Sequence, residues 1–229
     1  MKVVIMAGGL GTRLRPLTHI IPKPLLPLGE QTILEITINK LKNHGFKEFI
    51  LATNYKSDLF AAYLKDGSQL GVSITYSKEA KPLGTAGPLK LLASELNEPF
   101  IVINGDIITN LDFSKLYSTH ISSKAKMTVV TKILQTPLQY GVITAEGDSV
   151  SAIEEKPNLK FEILAGIYVL SPEVLNIIPE GMYNMPQLIR DLISCGENVR
   201  KYVLEDYWLD VGQMESYEQA QKDVKEGII

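Results

Sequence analysis

One cysteine, one tryptophan and three histidines stand among 229 residues, and each shortage removes a class of answer. Cys195 has no partner for an internal disulfide, so the framework of a small secreted domain is excluded and a reducing, cytoplasmic setting is expected. Its side chain reads as a small buried hydrophobe. His19, His44 and His120 are scattered, without the close spacing of zinc ligands. No apolar run reaches the ~18 residues of a membrane span. The apolar opening stops at Gly8-Gly9, too soon for a signal peptide, and suits a buried first strand. A charge excess is missing too: 23 Lys plus Arg oppose 26 Asp plus Glu, a net charge of −3. A basic face for nucleic acid is therefore not expected.

What remains is ordinary globular composition, 45% hydrophobic and 21% charged, which excludes disorder, collagen and a coiled-coil rod. The length suits one large domain or two small ones. Val3–Met6, Phe49–Thr53 and Phe100–Asn104 are short continuous apolar runs, the pattern of strands covered on both faces. Between the first two, Leu34, Ile38 and Leu41 mark one face of a helix stopped by Gly45. Thr85 to Leu96, with Leu89, Leu92 and Leu96 on one side, predicts another helix. This alternation specifies an α/β sheet with parallel strands. After Met127 the reading changes to strands at 127–132, 141–144, 150–154 and 163–169. Glu146-Gly147-Asp148 forms a hairpin turn, and the whole reads as a mixed sheet facing the first half. A last helix spans Met214 to Val224.

The chemistry begins at Met6-Ala7-Gly8-Gly9-Leu10-Gly11-Thr12-Arg13-Leu14, directly after the first strand. Glycines at this density let backbone N–H groups approach a phosphate. Leu14 occupies the third glycine of a dinucleotide fingerprint, and Thr12-Arg13 follows where a P-loop needs Lys and Ser or Thr, so neither motif is met. Arg13, Arg15 and Lys23 follow. Lys23 is pinned between Pro22 and Pro24, which keep its backbone out of a helix.

The opening through Pro22-Lys23-Pro24 resembles the signature of the sugar-1-phosphate nucleotidyltransferases, the nucleotide-sugar pyrophosphorylases. Six further blocks follow in family order: Pro82-Leu83-Gly84-Thr85-Ala86-Gly87, Asn104-Gly105-Asp106, Tyr140-Gly141-Val142, Glu154-Glu155-Lys156-Pro157, Ala165-Gly166-Ile167-Tyr168 and Trp208-Leu209-Asp210-Val211-Gly212. The resemblance implies one nucleotidyltransferase domain over residues 1–229. Its fold would be a Rossmann-like, mostly parallel mixed sheet with helices on both faces and a smaller sugar-binding β subregion. Residues 1–126 would mainly bind nucleotide and 127–229 mainly the sugar phosphate.

It also implies a reaction: attack of a sugar-1-phosphate oxygen on the α-phosphorus of a nucleoside triphosphate, releasing pyrophosphate. Two polyanions must meet, so positioning and charge neutralisation carry the catalysis. Arg13 would hold the pyrophosphate, Lys23 the triphosphate and Lys156 the sugar phosphate. Asp106 and Asp210 would hold magnesium, which commonly takes only one or two carboxylates. Ala7, Gly8, Gly9, Gly11, Thr12, Glu79, Gly84 and Thr85 would contact nucleotide, and Gly141, Glu155, Lys156 and Gly166 the sugar phosphate.

Glu79 speaks to the base. It stands where thymidylyl and uridylyl relatives carry a glutamine that pairs with the pyrimidine. A carboxylate only accepts, which suits guanine, whose N1–H and amine both donate. GTP is therefore the favoured substrate, as in the mannose- and heptose-1-phosphate guanylyltransferases. A uridylyl-, thymidylyl- or cytidylyltransferase is the alternative, including one acting on phosphocholine. That cation would want an aromatic cage, and no aromatics cluster by Glu155 in the sequence. A non-catalytic regulatory subunit would be expected to have lost Arg13, Lys23, Asp106, Lys156 or Asp210. Leu164 replaces an asparagine that touches a sugar hydroxyl in relatives, which leaves the sugar open. Many relatives continue into a left-handed β-helix beyond the catalytic domain. With the sequence ending at Ile229, any homo-oligomer is expected to form through the catalytic domain itself, and no membrane or nucleic-acid partner is expected.

Overall fold

A computed structural model describes all 229 residues. In chain order its main elements are β1 (Lys2–Met6), α1 (Ile33–Asn43), β2 (Glu48–Thr53), α2 (Ser57–Leu64), β3 (Ser73–Lys78), β4 (Phe100–Asn104), β5 (Ile107–Thr109) and α3 (Phe113–Ser123). Then follow β6 (Met127–Pro137), β7 (Val142–Glu146), β8 (Ser149–Glu154), β9 (Asn158–Leu170), α4 (Met185–Ser194), β10 (Val199–Val203), β11 (Trp208–Asp210) and α5 (Met214–Lys225). Seven strands form one sheet in the order β10-β6-β9-β4-β1-β2-β3. Only β9 runs against the rest, antiparallel to both β4 and β6.

The pleat divides the apolar runs between two cores. Val3, Ile5, Phe49, Leu51, Ile101 and Ile103 face α1, α2 and α3, meeting Leu34, Leu41, Phe60 and Phe113. Val4, Ile50, Phe100 and Val102 face the other way, against Leu89, Leu92 and the α4 residues Leu188 and Leu192. Alternate residues of each strand are thus buried on opposite faces, and both faces are covered. Each buried leucine there is worth about 1.5–3 kcal/mol over exposure. Helix α1 begins with a reciprocal cap: the Thr32 hydroxyl accepts from Glu35 N–H at 3.1 Å, and the Glu35 carboxylate accepts from Thr32 N–H at 2.7 Å. It ends before Gly45, which takes the positive φ of 88° needed to turn the chain.

Three expectations are corrected. The second half is not a sheet facing the first, because β6, β9 and β10 extend the same sheet. Only β7 and β8 leave it, as a two-stranded hairpin turning at Gly147 with every strand residue exposed. The predicted helix over 85–96 shrinks to a 3₁₀ turn, Gly87–Leu92. The N–H groups of Ala86 and Gly87 are spent on the Tyr183 carbonyl, both at 2.9 Å, and Pro88 follows at once. The leucine spacing still holds, with Leu89, Leu92 and Leu96 all buried. Cys195 is exposed, just past the end of α4, and not buried. No helix is long and apolar enough to cross a membrane.

A third apolar cluster fixes the places of two charged residues. Leu14, Leu26, Ile33, Ile108, Val211 and Ala220 join the glycine-rich turn, β5, β11 and α5. Leu14 and Val211 are both fully buried. Their chain neighbours Arg13 and Asp210 are thereby held at fixed places on the rim of this cluster.

Candidate active site

Four parallel strands deliver their carboxyl ends to one edge of the sheet, where ligands of open α/β folds bind. β4 leads to Asp106, β1 to the glycine loop, β2 to Asn54 and β3 to Glu79. Between these ends lies a cavity of about 390 Å³, within the range of small-molecule sites. The loop from Met6 to Gly11 lines it together with Lys23, Asn104 and Asp106, and with Asn54, Glu79 and the loop Pro82–Thr85. Ala7, Gly8, Gly9, Gly11, Glu79, Gly84 and Thr85 are thus brought together as expected, and Thr12 is not among the lining residues.

Two glycines are required by space or angle. A Cβ on Gly8 would stand 2.7 Å from Glu79 Oε1 and 3.3 Å from Asn54 Cβ, so the loop passes directly against both side chains. Gly11 holds φ at 61°, and a side chain there would collide with Thr18. The Thr18 hydroxyl donates to the Gly11 carbonyl at 2.8 Å and fixes that turn.

The two aspartates meet through strand pairing. β11 runs antiparallel to β5 with Asp210 opposite Ile107, and Val211 N–H donates to the Asp106 carbonyl at 2.9 Å. Lys23 forms an ion pair with the Asp106 carboxylate. A Cβ on Gly212 would lie 2.9 Å from Asp210 Oδ1 and 3.0 Å from Arg13 Nη2. Arg13, Lys23, Asp106 and Asp210 therefore share one corner, with Gly212 keeping the space open between cation and carboxylate. Asp210 Oδ1 is buried without a hydrogen-bond partner. Burial, joined by the neighbouring Asp106 charge, raises the Asp210 pKa, while Lys23 and Arg13 pull it back.

Glu79 is buried although its neighbours Lys78, Ala80 and Lys81 are all exposed. Its Oε2 accepts from Leu83 N–H at 2.9 Å. Burial raises its pKa, partly offset by that hydrogen bond.

The residues expected at the sugar phosphate fall in two places. Gly166, φ +73°, sits in a bulge of β9 where the pairing with β6 skips from Leu164 to Tyr168. A Cβ there would meet Asn104 Nδ2 at 2.7 Å, so Gly166 backs directly onto the cavity wall. Gly141, Glu155 and Lys156 lie farther out, at the hairpin. A Cβ on Gly141 would be 2.9 Å from Glu155 Oε2. Lys156 is exposed at the turn into β9 with φ +47°, a left-handed backbone that costs a non-glycine residue about 1–2 kcal/mol. None of these three lines the 390 Å³ cavity. Tyr140, beside Gly141, is 79% exposed, and a lone tyrosine is not a cage.

Asn54, Asn104 and Gly212 were missed as individual candidates. Asn54 ends β2 as Asn104 ends β4, and a polar residue closing an apolar parallel strand was the available signal. Gly212 and Asn104 lie inside two of the family-like sequence blocks, which assign them no role of their own. No cluster of three or more His, Cys, Asp or Glu side chains suited to a metal occurs.

Comparison with known proteins agrees with this geometry. A family model described as nucleotidyl transferase matches residues 2–227. The chain is 38% identical over 227 residues to a mannose-1-phosphate guanyltransferase of Kluyveromyces lactis and 37% identical over 226 residues to that of Saccharomyces cerevisiae. In each case 95% of the chain is covered, but it spans only 63% of the relative's length. Among solved structures, a Bacillus anthracis protein provisionally described as a glucose-1-phosphate thymidylyltransferase, in complex with a sucrose, matches with TM-score 0.80 at 27% identity, covering 97% of this chain and 94% of that one. HddC from Yersinia pseudotuberculosis complexed with GMP-PN matches with TM-score 0.77 at 27% identity, covering 97% of this chain and 99% of that one.

Proposed function

The chain belongs to the nucleotidyl transferase family, and from that premise we propose that it transfers GMP from GTP to a sugar-1-phosphate, making a nucleotide sugar and pyrophosphate. One observation carries the reading. The cavity that holds Lys23 and Asp106 beside the glycine loop also holds a buried carboxylate, Glu79, two strands along the sheet from that loop. Phosphate chemistry and an acceptor-only base contact share one site.

The glycine loop's N–H groups and Lys23 would bind the triphosphate, and Arg13 would take up the charge of the departing pyrophosphate. Lys156 would hold the phosphate of the incoming sugar, whose oxygen is already ionised and requires no general base. Glu79 would accept from guanine N1–H and the exocyclic amine. Asn104 and the Gly166 bulge would separate the two substrates at the shared wall.

Asp106 and Asp210 fit a magnesium ion. Hard oxygen donors, only two from the protein, match a metal that keeps water and phosphate ligands. The unpartnered Asp210 Oδ1 is an acceptor awaiting a cation. When bound, such an ion would neutralise and orient the phosphates.

The likeness to the Bacillus anthracis structure favours a thymidylyl reading, and Glu79 opposes it. Pyrophosphate release across a matrix of GTP, UTP, dTTP, CTP and ATP against several sugar-1-phosphates decides. GTP is expected to lead, and a lead for UTP or dTTP overturns the guanylyl assignment. In the same assay Lys156→Ala is expected to raise the KM for sugar-1-phosphate alone, whereas Arg13→Ala lowers turnover with every triphosphate.

A further inference from the structure

The loop Leu83–Gly87, which forms one wall of the cavity, is not held by its own helix but by a segment about a hundred positions later. Tyr183 N–H donates to the Leu83 carbonyl, and the Tyr183 carbonyl accepts from Ala86 and Gly87 N–H, each at 2.9 Å. Asn184 Oδ1 accepts from Thr85 N–H at 3.2 Å, and Met185 N–H donates to the Thr85 hydroxyl at 2.9 Å. The approach leaves no slack. Gly84 holds φ at +80°, and a Cβ there would stand 2.5 Å from Asn184 Oδ1 and 2.7 Å from the Tyr183 carbonyl. The same loop then reaches the buried carboxylate, because Leu83 N–H donates to Glu79 Oε2 at 2.9 Å. A continuous path of hydrogen bonds and two-residue backbone steps thus runs from Asn184 through Thr85 and Leu83 to Glu79.

The clamp itself is rigid. The Tyr183 ring is buried in the core that α4 shares with the sheet, and its hydroxyl donates to the Asp191 carboxylate. Asn184 N–H donates to Gln187 Oε1 at 2.9 Å. Most of the contacts to the loop are made by backbone, so the Asn184 amide, which also caps α4, is the clamp side chain whose removal loosens the loop at Thr85 without rerouting the chain.

We infer that Asn184 is a positioning residue for nucleotide binding: its amide oxygen fixes the loop that orients Glu79 and shapes the cavity wall. The inference deepens the nucleotidyl-transfer reading and rests on it for the site, but not on the identity of the base. Losing one hydrogen bond of this kind typically costs about 5- to 10-fold in an equilibrium.

The test is steady-state kinetics with whichever triphosphate the wild type uses best. Asn184→Ala is expected to raise that triphosphate's KM about 5- to 10-fold, with kcat and the sugar-1-phosphate KM within about twofold of wild type. Asn184→Asp keeps an acceptor opposite Thr85 N–H and is expected to restore the KM. Gln187→Ala, which loosens the start of the same helix without touching the loop, is expected to lower the melting temperature and leave the KM alone. Should Asn184→Ala fail to fold, Asn184→Ser keeps a helix-capping side chain but cannot reach Thr85, and it is expected to show the same KM rise. An unchanged triphosphate KM, a sugar-phosphate KM rising in step, no rescue by Asp, or the same KM rise in Gln187→Ala each overturns the proposal. A wild type preferring UTP would sink the guanylyl reading alone, since the Asn184 comparison is then made with UTP.

Discussion

Trp208 donates its indole N–H to the carbonyl of Ala165 at 2.9 Å. The bond joins the strand that carries Asp210 to the bulge that carries Gly166, so the carboxylate corner and the cavity wall at Asn104 are held at a fixed separation. Trp208→Phe removes the donor and keeps an aromatic ring. It is expected to lower stability by about 0.5–1.5 kcal/mol for the hydrogen bond, and somewhat more for the smaller ring. The midpoint of a urea titration measures it, and an unchanged midpoint would show that the link carries no energy.

The burial of Asp210 comes at the expense of stability. Its raised pKa means that the folded protein favours the protonated form more than the unfolded chain does. Stability from this group therefore falls as pH rises through its folded pKa, and at neutral pH its charge is a net cost. Asp210→Asn is expected to melt at or above the wild-type temperature while turnover drops ~10²–10³-fold, as for loss of one transition-state contact. Added magnesium is expected to raise the melting temperature of the wild type only. A variant that melts lower, or that still responds to magnesium, contradicts this account.

For the base, Glu79→Gln keeps the size and exchanges one acceptor for a donor facing guanine. A mismatch of ~1–3 kcal/mol predicts a roughly 5- to 150-fold fall in the ratio of GTP to UTP efficiency. Because burial raises the Glu79 pKa, the carboxyl protonates at higher pH than an ordinary glutamate and then ceases to be acceptor-only. GTP preference in the wild type is expected to weaken on acidification, and in Glu79→Gln to be flat. Competition assays between the two triphosphates over pH measure both.

His120 predicts an acid-side instability unrelated to catalysis. It is almost fully buried between Thr128 and Ser171, at 2.8 and 3.2 Å from their hydroxyls. Ser171 already donates to the Ala125 carbonyl, so its oxygen accepts from the ring, and the network satisfies a neutral imidazole. Burial lowers the pKa from 6.5. The unfolded chain therefore binds a proton first, and stability present above about pH 6.5 is lost as pH falls toward the folded pKa. His120→Gln is expected to flatten the melting temperature below about pH 6.5, the ordinary histidine pKa. A wild-type curve already flat there would place the ring's titration elsewhere.

The parts of the fold legible in the sequence are those decided locally. Val3–Met6, Phe49–Thr53 and Phe100–Asn104 are short and apolar on both faces, and all three are buried strands of the sheet. The Leu89, Leu92 and Leu96 spacing reported burial correctly but not helix type, because Tyr183 claims the backbone donors of Ala86 and Gly87. Cys195 was misjudged from residue type alone, since its place beyond α4 is set by where that helix stops. Asp106 and Asp210 came from motif resemblance. Their adjacency depends on the pairing of β5 with β11, two strands of three residues each, too short to show a period. Asn184 left no signal at all, because its partner Thr85 lies 99 positions away.

That distant pairing has a kinetic consequence. The Lys23–Asp106 ion pair spans 83 positions, and β11 reaches far back along the chain to pair with β5, Trp208 opposite Thr109. Contacts of such long range bear the largest loop-closure cost and form late. The central β1–β4 pairing is as long in range, with Val3 opposite Ile101, so the sheet and the acidic corner are expected to form together and turnover to recover in step with β-structure on refolding. A partly folded chain would then carry neither a complete sheet nor a competent centre, and could not consume triphosphate unproductively.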